Sequence, residues 1–338
     1  MKYVVAVIPG DGIGPDVVQA TLEVLKALGN TFSLSLDFKY VEAGDAAKIR
    51  YGVALPDESY QTISSSNACL KGPVGESAKQ VIIVLRQRLN LYANIRPAVT
   101  LPNVPSLYND VDLVVVRENT EGLYKGIEDK TSEYAFSVRV VTREASIRIA
   151  KIAYEMAMRR RRKVTIVHKA NVLSSCELFS KCCLDVAKDY SEVETDQMYV
   201  DNASYQLVKN PQRFDVILTT NMFGDILSDE AAGVVGSLGV SPSMNLGDQF
   251  GLFEPVHGSA PDIPKGTANP LATMMSARLM LEWLAEKYRD GAMKEASGIL
   301  WDAIVQTLRK KIFTPDLGGS STTKHVADAV IEEIAKAV

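Results

Sequence analysis

In GDILSDE, residues 224 to 230, Asp225 and Asp229 stand four apart in a stretch of helical periodicity, so their carboxylates share one helix face. Like charges at that spacing repel, and a cation between them relieves the repulsion. Ligation by oxygen alone suits Mg²⁺ or Mn²⁺, completed by water and substrate oxygens, and does not suit zinc. The competing reading is a solvated acidic helix start, where carboxylates complement the helix dipole.

Arg86 and Arg96 in LRQRLNLYANIRP, with Arg117 in VVVREN, stand on or beside apolar segments. That is a costly place for a guanidinium unless it meets a carboxylate. Three of them suit a substrate with two carboxylates, and structural ion pairing is the alternative for any one of them. In VTIVHKANVL, Lys169 follows directly on a hydrophobic strand, where desolvation and a nearby metal would fit it to act as a general base. Tyr124 in RENTEGLYKG is a candidate proton donor, against the plainer reading that it only packs. In EPVHGSAPDI, the small residues from His257 to Ala260 let backbone amides approach a phosphate, and Asp262 could accept hydrogen bonds from ribose hydroxyls. An acidic residue there repels a 2′-phosphate and favours NAD over NADP.

The glycine turn VAVIPGDGIGPD, residues 5 to 16, has the strand-to-helix setting of a dinucleotide fingerprint but not its spacing. The third glycine of G-x-G-x-x-G would fall at Pro15, whereas glycine sits at Gly14. A tight strand-to-helix turn with proline at the first helical position is the simpler expectation.

These residues must be held by an α/β scaffold, because short β-branched runs alternate with helical periodicity along most of the chain. Strands are expected at VVAVI, FSLSLDFKYV, ACLKG, DLVVVREN, YAFSVRVVT, KVTIVHK, TDQMYVD and FDVILTTN. Helices are expected over 15–28, 57–65, 78–89, 143–162 and 174–188, and through most of the last seventy residues. Proline and glycine mark two crossing points, near 96–105 and 236–248. With 338 residues, 46% of them hydrophobic, the chain can build two domains. A formal net charge of -4 provides no basic field for nucleic acid or an anionic membrane. The run RRRRK at 159–163 is expected to complement a helix C-terminus. No apolar run long enough to span a bilayer occurs, and the N-terminus lacks a signal-peptide core. The cysteines 69, 176, 182 and 183 lack metal or disulfide spacing and read as free thiols, which places the chain in the cytoplasm.

IPGDGIGP, KGPVG, LRQRLNLYANIRP, RENTEGLY, HKANVL, YVDNA, GDILSDEAAGVVGSLG, EPVHGSAPDI, ANP and TPDLGG occur in the order seen in the metal-dependent β-decarboxylating dehydrogenases. The chain resembles that family, which holds the isocitrate, 3-isopropylmalate, homoisocitrate and tartrate dehydrogenases, over essentially its whole length. The resemblance implies a two-domain α/β sandwich of the isopropylmalate dehydrogenase type with a mixed sheet, not a Rossmann fold. One domain would be 1–98 with 236–338 and the other 99–235. It implies substrate carboxylates on Arg86, Arg96 and Arg117, and Mg²⁺ or Mn²⁺ on Asp201, Asp225 and Asp229. Lys169 would be the base and Tyr124 the acid, with Asp201 counted among the catalytic groups. NAD would lie against Glu254, His257, Gly258, Ser259, Ala260, Pro261, Asp262, Ile263 and Asn269, with Asn171 near the nicotinamide. Family members are homodimers whose sites borrow residues across the interface, so Lys169 and Asp201 would come from the partner chain. Assembly to a tetramer stays open.

The third substituent of the substrate is read on the helix before Arg86. Where isocitrate enzymes carry a serine and an asparagine for a further carboxylate, this chain has Gln80 and Ile82. Where homoisocitrate enzymes tend to place an arginine, it has Ile83. Ile82 and Ile83 with Val172 make an apolar surface that suits an isopropyl group and leaves a third carboxylate unpartnered. The expected reaction is NAD-dependent oxidative decarboxylation of (2R,3S)-3-isopropylmalate to 2-oxo-4-methylpentanoate in leucine biosynthesis. Isocitrate or homoisocitrate is the alternative, because RENTEGLYKGIE and LYANIRP look more like those enzymes and Lys79 or Gln80 could reach a carboxylate. An inactive regulatory subunit would have lost catalytic residues, and here Tyr124, Lys169, Asp201, Asp225 and Asp229 are all present.

Overall fold

Most of the strand segments are apolar on both faces, which commits them to a sheet covered on two sides. The computed structural model describes residues 2–337. Its first half runs β1 (Lys2–Ile8), α1 (Gly14–Phe32), β2 (Ser35–Tyr40), α2 (Asp45–Tyr51), α3 (Asp57–Ser65), β3 (Ala68–Lys71), a π-turn (Lys79–Ile83) leading into α4 (Val84–Arg88), β4 (Ala93–Val99), β5 (Asp112–Glu118), β6 (Glu128–Lys130) and β7 (Ala135–Ser137). Then come α5 (Arg143–Met158), β8 (Lys163–His168), α6 (Ser174–Ala187), β9 (Glu194–Tyr199), α7 (Val200–Lys209), β10 (Val216–Thr219), α8 (Asn221–Val235), β11 (Pro242–Leu246), β12 (Gly251–Pro255), α9 (Leu271–Tyr288), α10 (Gly291–Arg309) and α11 (Thr323–Lys336).

Ten strands form one sheet in the order β2-β1-β3-β12-β11-β4-β5-β10-β8-β9. The two flanks are parallel, while β11 is antiparallel to β12 and β4, and β4 to β5. The sheet is mixed, as expected. Alternation along each strand sends side chains to opposite layers. Val5 and Val7 of β1 join Leu22 and Leu25 of α1, Leu281 of α9, Ile304 of α10 and Val330 of α11. Their neighbours Ala6 and Ile8 face Val81 and Leu85 around α4. In the other flank Val114 and Val116 of β5 meet Ile149 and Tyr154 of α5 and Phe179 of α6. Leu113 and Val115 meet Leu207 of α7 and Leu227 and Ala231 of α8. Each such Val, Leu, Ile or Phe side chain stabilises the fold by roughly 1.5–3 kcal/mol on burial.

Several local expectations change. Both proline- and glycine-rich crossing points contain strands, β4 and β11, which hydrogen-bond to each other and carry the sheet through. In YAFSVRVVT the strand is cut to Ala135–Ser137, which pairs with β6 in an exposed hairpin, and Val140 adds an isolated bridge to Gly122. Helix α5 ends at Met158, so the basic run lies beyond it. There Arg159 meets Glu286, Arg160 meets Asp112 and Asp215, Arg162 meets Glu192 and Lys163 meets Glu194. The run is consumed by ion pairs that tie loops to strand ends. The four cysteines are buried and unbridged. Among the described residues no helix is long and apolar enough to cross a membrane.

Candidate active site

Strand register at the middle of the sheet assembles the site. In neighbouring strands, directly paired residues point to the same face, as do residues two apart. Arg117 of β5 pairs with Asn94 of β4, and Arg96 lies two residues from Asn94. Asn94 pairs with Asn245 of β11, and Ser243, two residues from Asn245, pairs with Glu254 of β12. Cys69 of β3 pairs with Leu252, which brings Lys71 to the same face beside Glu254. One row of polar side chains thus crosses five strands from Lys71 to Arg117. Lys71, Glu254, Arg96 and Arg117 of this row line a cleft of about 1090 Å³ that is walled by Ile82, Ile83, Tyr124, Asp225 and His257.

The three arginines are held in different ways. Arg86 is 7% exposed, donates from Nε to Asn245 Oδ1 at 3.0 Å, and pairs with Glu254 Oε1 at 3.3 Å. Arg96 donates to Ser228 Oγ at 2.8 Å and lies 3.1 Å from Asp229 and 3.3 Å from Asp225. Its Nε is buried without a protein partner. Arg117 is 1% exposed, bonds to Asn221 Oδ1 through Nε at 3.0 Å and a terminal nitrogen at 2.7 Å, and pairs closely with Asp225. Burial and then the Arg96 charge press Arg117 downward in pKa, while Asp225 opposes them. A guanidinium stays charged through such pressure.

Helix α8 starts at Asn221, so Asn221, Asp225 and Asp229 recur four apart along its face toward β4 and β5. A Cβ at Gly224 would lie 2.7 Å from Cβ and Cγ of Arg117, so the glycine is what lets the helix approach this closely. Burial tends to raise both carboxyls of the pair. For Asp225, Arg117 and Arg96 outweigh it and hold the group below the usual range, while for Asp229 burial wins over Arg96. The hydroxyl of Tyr124 donates to Asp225 Oδ2 at 2.8 Å. Burial, then this bond, raises the phenol pKa and keeps it protonated at neutral pH. Asp225 and Asp229 offer carboxylate oxygens, which fits Mg²⁺ or Mn²⁺. Among the described residues of one chain, no three carboxylate, imidazole or thiol groups gather to hold a metal.

The residues expected to hold the cofactor fall into two groups. The loop after β12 is pinned to the glycine turn: Ile13 N–H donates to Ser259 carbonyl at 2.9 Å, and a Cβ at Gly12 would lie 2.0 Å from that oxygen. Asp11 receives the backbone amides of Asp45 and Gly75. The turn is a clamp for two loops. His257 keeps a buried Nε2 without a partner at the cleft wall, Ala260 has positive φ (38°), and Asp262 and Ile263 are exposed. By contrast Glu254 is buried and holds Lys71 at 2.8 Å as well as Arg86, and Asn269 bonds to Asp316 at 3.0 Å and to Leu271 N–H. Glu254 thus organises the arginine floor from beneath, and Asn269 ties the segment before α9 to Asp316.

Lys169, Asn171, Val172 and Asp201 do not line the cleft of their own chain. Lys169 Nζ lies 2.5 Å from Asp201 Oδ1, and Val172 is 68% exposed in the turn after Lys169. Grouping Val172 with Ile82 and Ile83 is therefore corrected for a single chain, because the turn after β8 projects outward. Sequence reasoning missed Lys71, Asn94, Asn221, Ser228 and Asn245. Asn221, four before Asp225, could have been found by helical spacing, whereas the others depend on register.

Residues 4–331 match the family model described as isocitrate/isopropylmalate dehydrogenase. The chain is 48% identical to 3-isopropylmalate dehydrogenase of Sulfurisphaera tokodaii, over 99% of this chain and 100% of that one. It is 46% identical to isocitrate/homoisocitrate dehydrogenase of Thermus thermophilus, with 99% of each covered. The crystal structure of isocitrate dehydrogenase from Methylococcus capsulatus superposes with a TM-score of 0.91 at 43% identity, covering 98% of this chain and 99% of that one. The chain belongs to the isocitrate/isopropylmalate dehydrogenase family, a family of decarboxylating dehydrogenases that depend on NAD and a divalent metal.

Proposed function

We propose that this enzyme oxidises and decarboxylates 3-isopropylmalate with NAD and Mg²⁺ or Mn²⁺, giving 2-oxo-4-methylpentanoate and CO₂ in leucine biosynthesis. The observation that carries this reading is the placement of Ile82 and Ile83 on the cleft wall beside Arg86. An isopropyl group is accommodated there, while a third carboxylate would lose water without gaining a partner.

Arg86, Arg96 and Arg117 hold the two carboxylates of the malate core. Asp225 and Asp229, with Asp201 of the partner subunit, hold the cation, and the loop from His257 to Ile263 holds NAD, with Asn171 near the nicotinamide. Bound there, the two groups supply Lewis-acid polarisation of the 2-hydroxyl and hydride acceptance. Lys169 of the partner subunit takes the hydroxyl proton through a relay. Tyr124, protonated and oriented by Asp225, returns a proton to the carbon left by CO₂.

A homodimer is supported by exposed Tyr205 and Val208 on α7 and Ile226 on α8, the packed helix pair that also carries Asp201 and Asp225. A division into 1–98 with 236–338 and 99–235 is supported by apolar clusters that fall largely within those limits, with β4 and its flanks bridging them: Tyr92, Ala93, Ile95 and Ala98 pack with the second unit, and Leu101 and Val104 with the first. Buried, unbridged cysteines suit the cytoplasm.

The second reading, isocitrate or homoisocitrate, draws on Lys79 and Lys125 in the same cleft lining. The deciding experiment measures NAD reduction by the purified enzyme with Mg²⁺ or Mn²⁺, comparing kcat/KM for 3-isopropylmalate, isocitrate, homoisocitrate and D-malate. Preference for 3-isopropylmalate supports the apolar subsite. Preference for a tricarboxylate transfers the role to the lysines.

A further inference from the structure

Lys79, Ile82 and Ile83 of the π-turn and Arg86 of α4 line the cleft together. An unpaired ammonium three residues from the apolar wall would attract a third carboxylate. Its charge is already engaged. Nζ lies 2.5 Å from Glu128 Oε1, on hairpin strand β6, and Glu128 lines the same cleft. Ser137, across the hairpin on β7, points its hydroxyl at Glu128 Oε2 at 3.5 Å. The bond from Lys79, followed by its charge, holds the Glu128 carboxyl below its usual range, so the pair is ionised at neutral pH and carries no net charge.

From this geometry we infer that Glu128 is a specificity-determining residue: it neutralises Lys79, so the subsite beside Ile82 and Ile83 admits an apolar substituent and rejects a third carboxylate. This rests on the proposed substrate reading and deepens it. The pair is solvent-exposed, with side-chain exposures of 69% and 43%, so removing it has little effect on folding. Its effect on an entering anion is larger, because a carboxylate approaching Glu128 meets a like charge and one approaching a freed Lys79 meets an opposite charge.

The test uses the full chain as wild type, Glu128→Gln, and Glu128→Gln combined with Lys79→Gln, assayed with NAD and Mn²⁺ on 3-isopropylmalate, isocitrate and homoisocitrate. The ratio of tricarboxylate to 3-isopropylmalate kcat/KM is expected to rise by about fivefold in Glu128→Gln, to shrink as salt is added, and to return toward wild type in the double variant. An unchanged ratio, a gain equal for all substrates, or a gain that survives loss of Lys79 would overturn the inference. The substrate reading is scored separately, on wild type alone: a wild-type preference for isocitrate defeats it, while the ratios across the variants still decide the role of Glu128.

Discussion

Lys71 Nζ lies 2.8 Å from Glu254 Oε2, with both side chains more than nine-tenths buried beneath the cleft. The other carboxylate oxygen receives Asn245 at 2.8 Å and Arg86 at 3.3 Å, so one acid neutralises two buried cations, one from strand β3 and one from helix α4. Burial would raise this carboxyl, but Lys71 and then Arg86 pull it down to about 2 from an ordinary 4.5. A depressed folded-state pKa contributes stability that is complete above about 4.5 and is lost as pH falls toward 2. Glu254→Gln is therefore expected to cost about 3 kcal/mol near neutral pH and to raise KM by loosening Arg86. Denaturant unfolding of both proteins from pH 7 downward checks this: the gap should narrow below pH 4.5, and a gap that does not change with pH would assign the cost to packing.

Gly224 lets α8 approach Arg117. In Gly224→Ala the new Cβ meets strand-anchored atoms of Arg117 at 2.7 Å, so the helix must shift. A loss of about 1–3 kcal/mol in unfolding free energy is expected, with a fall in kcat/KM. Gly233→Ala, on the same helix with nothing within 4 Å of the added carbon, should be neutral or stabilising by up to about 1 kcal/mol. Equal effects at both positions would show that helix propensity, and not the arginine contact, decides.

Asp262 is exposed on the loop after β12, and with NAD bound against that loop as proposed its charge would repel a 2′-phosphate. Asp262→Lys is expected to raise the NADP to NAD ratio of kcat/KM by about tenfold or more. A variant that keeps a strong preference for NAD would place the discrimination elsewhere.

Lys169 and Asp201 touch each other but lie outside the cleft of their own chain, while Asp225 lies inside it. Lys169→Ala and Asp225→Asn chains, each inactive alone, should regain about one quarter of wild-type activity when mixed as reassembled dimers, because half the dimers carry one intact site. Direct Mn²⁺ titration should show weakened binding by the Asp225→Asn protein with its fold unchanged. Mixtures without activity would mean that each chain builds its site alone.

The spacing of Asp225 and Asp229, the two isoleucines just before Arg86, and the long alternation of strands and helices were legible in the sequence. They are local, and the periods of helix and strand are enough to place them. Strands β4 and β11 were not legible, because proline and glycine mark turns as often as edges, and only pairing distinguishes the two. The strand expected over YAFSVRVVT was read too long for the opposite reason: its β-branched residues favour extended pairing, but the fold offers them only the short partner β6 and an isolated bridge to Gly122.

The amino-acid order by itself determined the α/β class, the acidic helix, the arginines and the loop after β12, since each depends on residues within one or two turns of each other. Only the tertiary structure decided that Lys71, Glu254, Asn245, Arg96 and Arg117 share one face across five strands, that Glu254 serves Arg86 from below, and that Glu128 meets Lys79. Those relations join residues up to 183 positions apart, from Lys71 to Glu254. Register, which no local pattern encodes, sets which side chains meet, because shifting one strand by a single residue would turn its polar members to the opposite face.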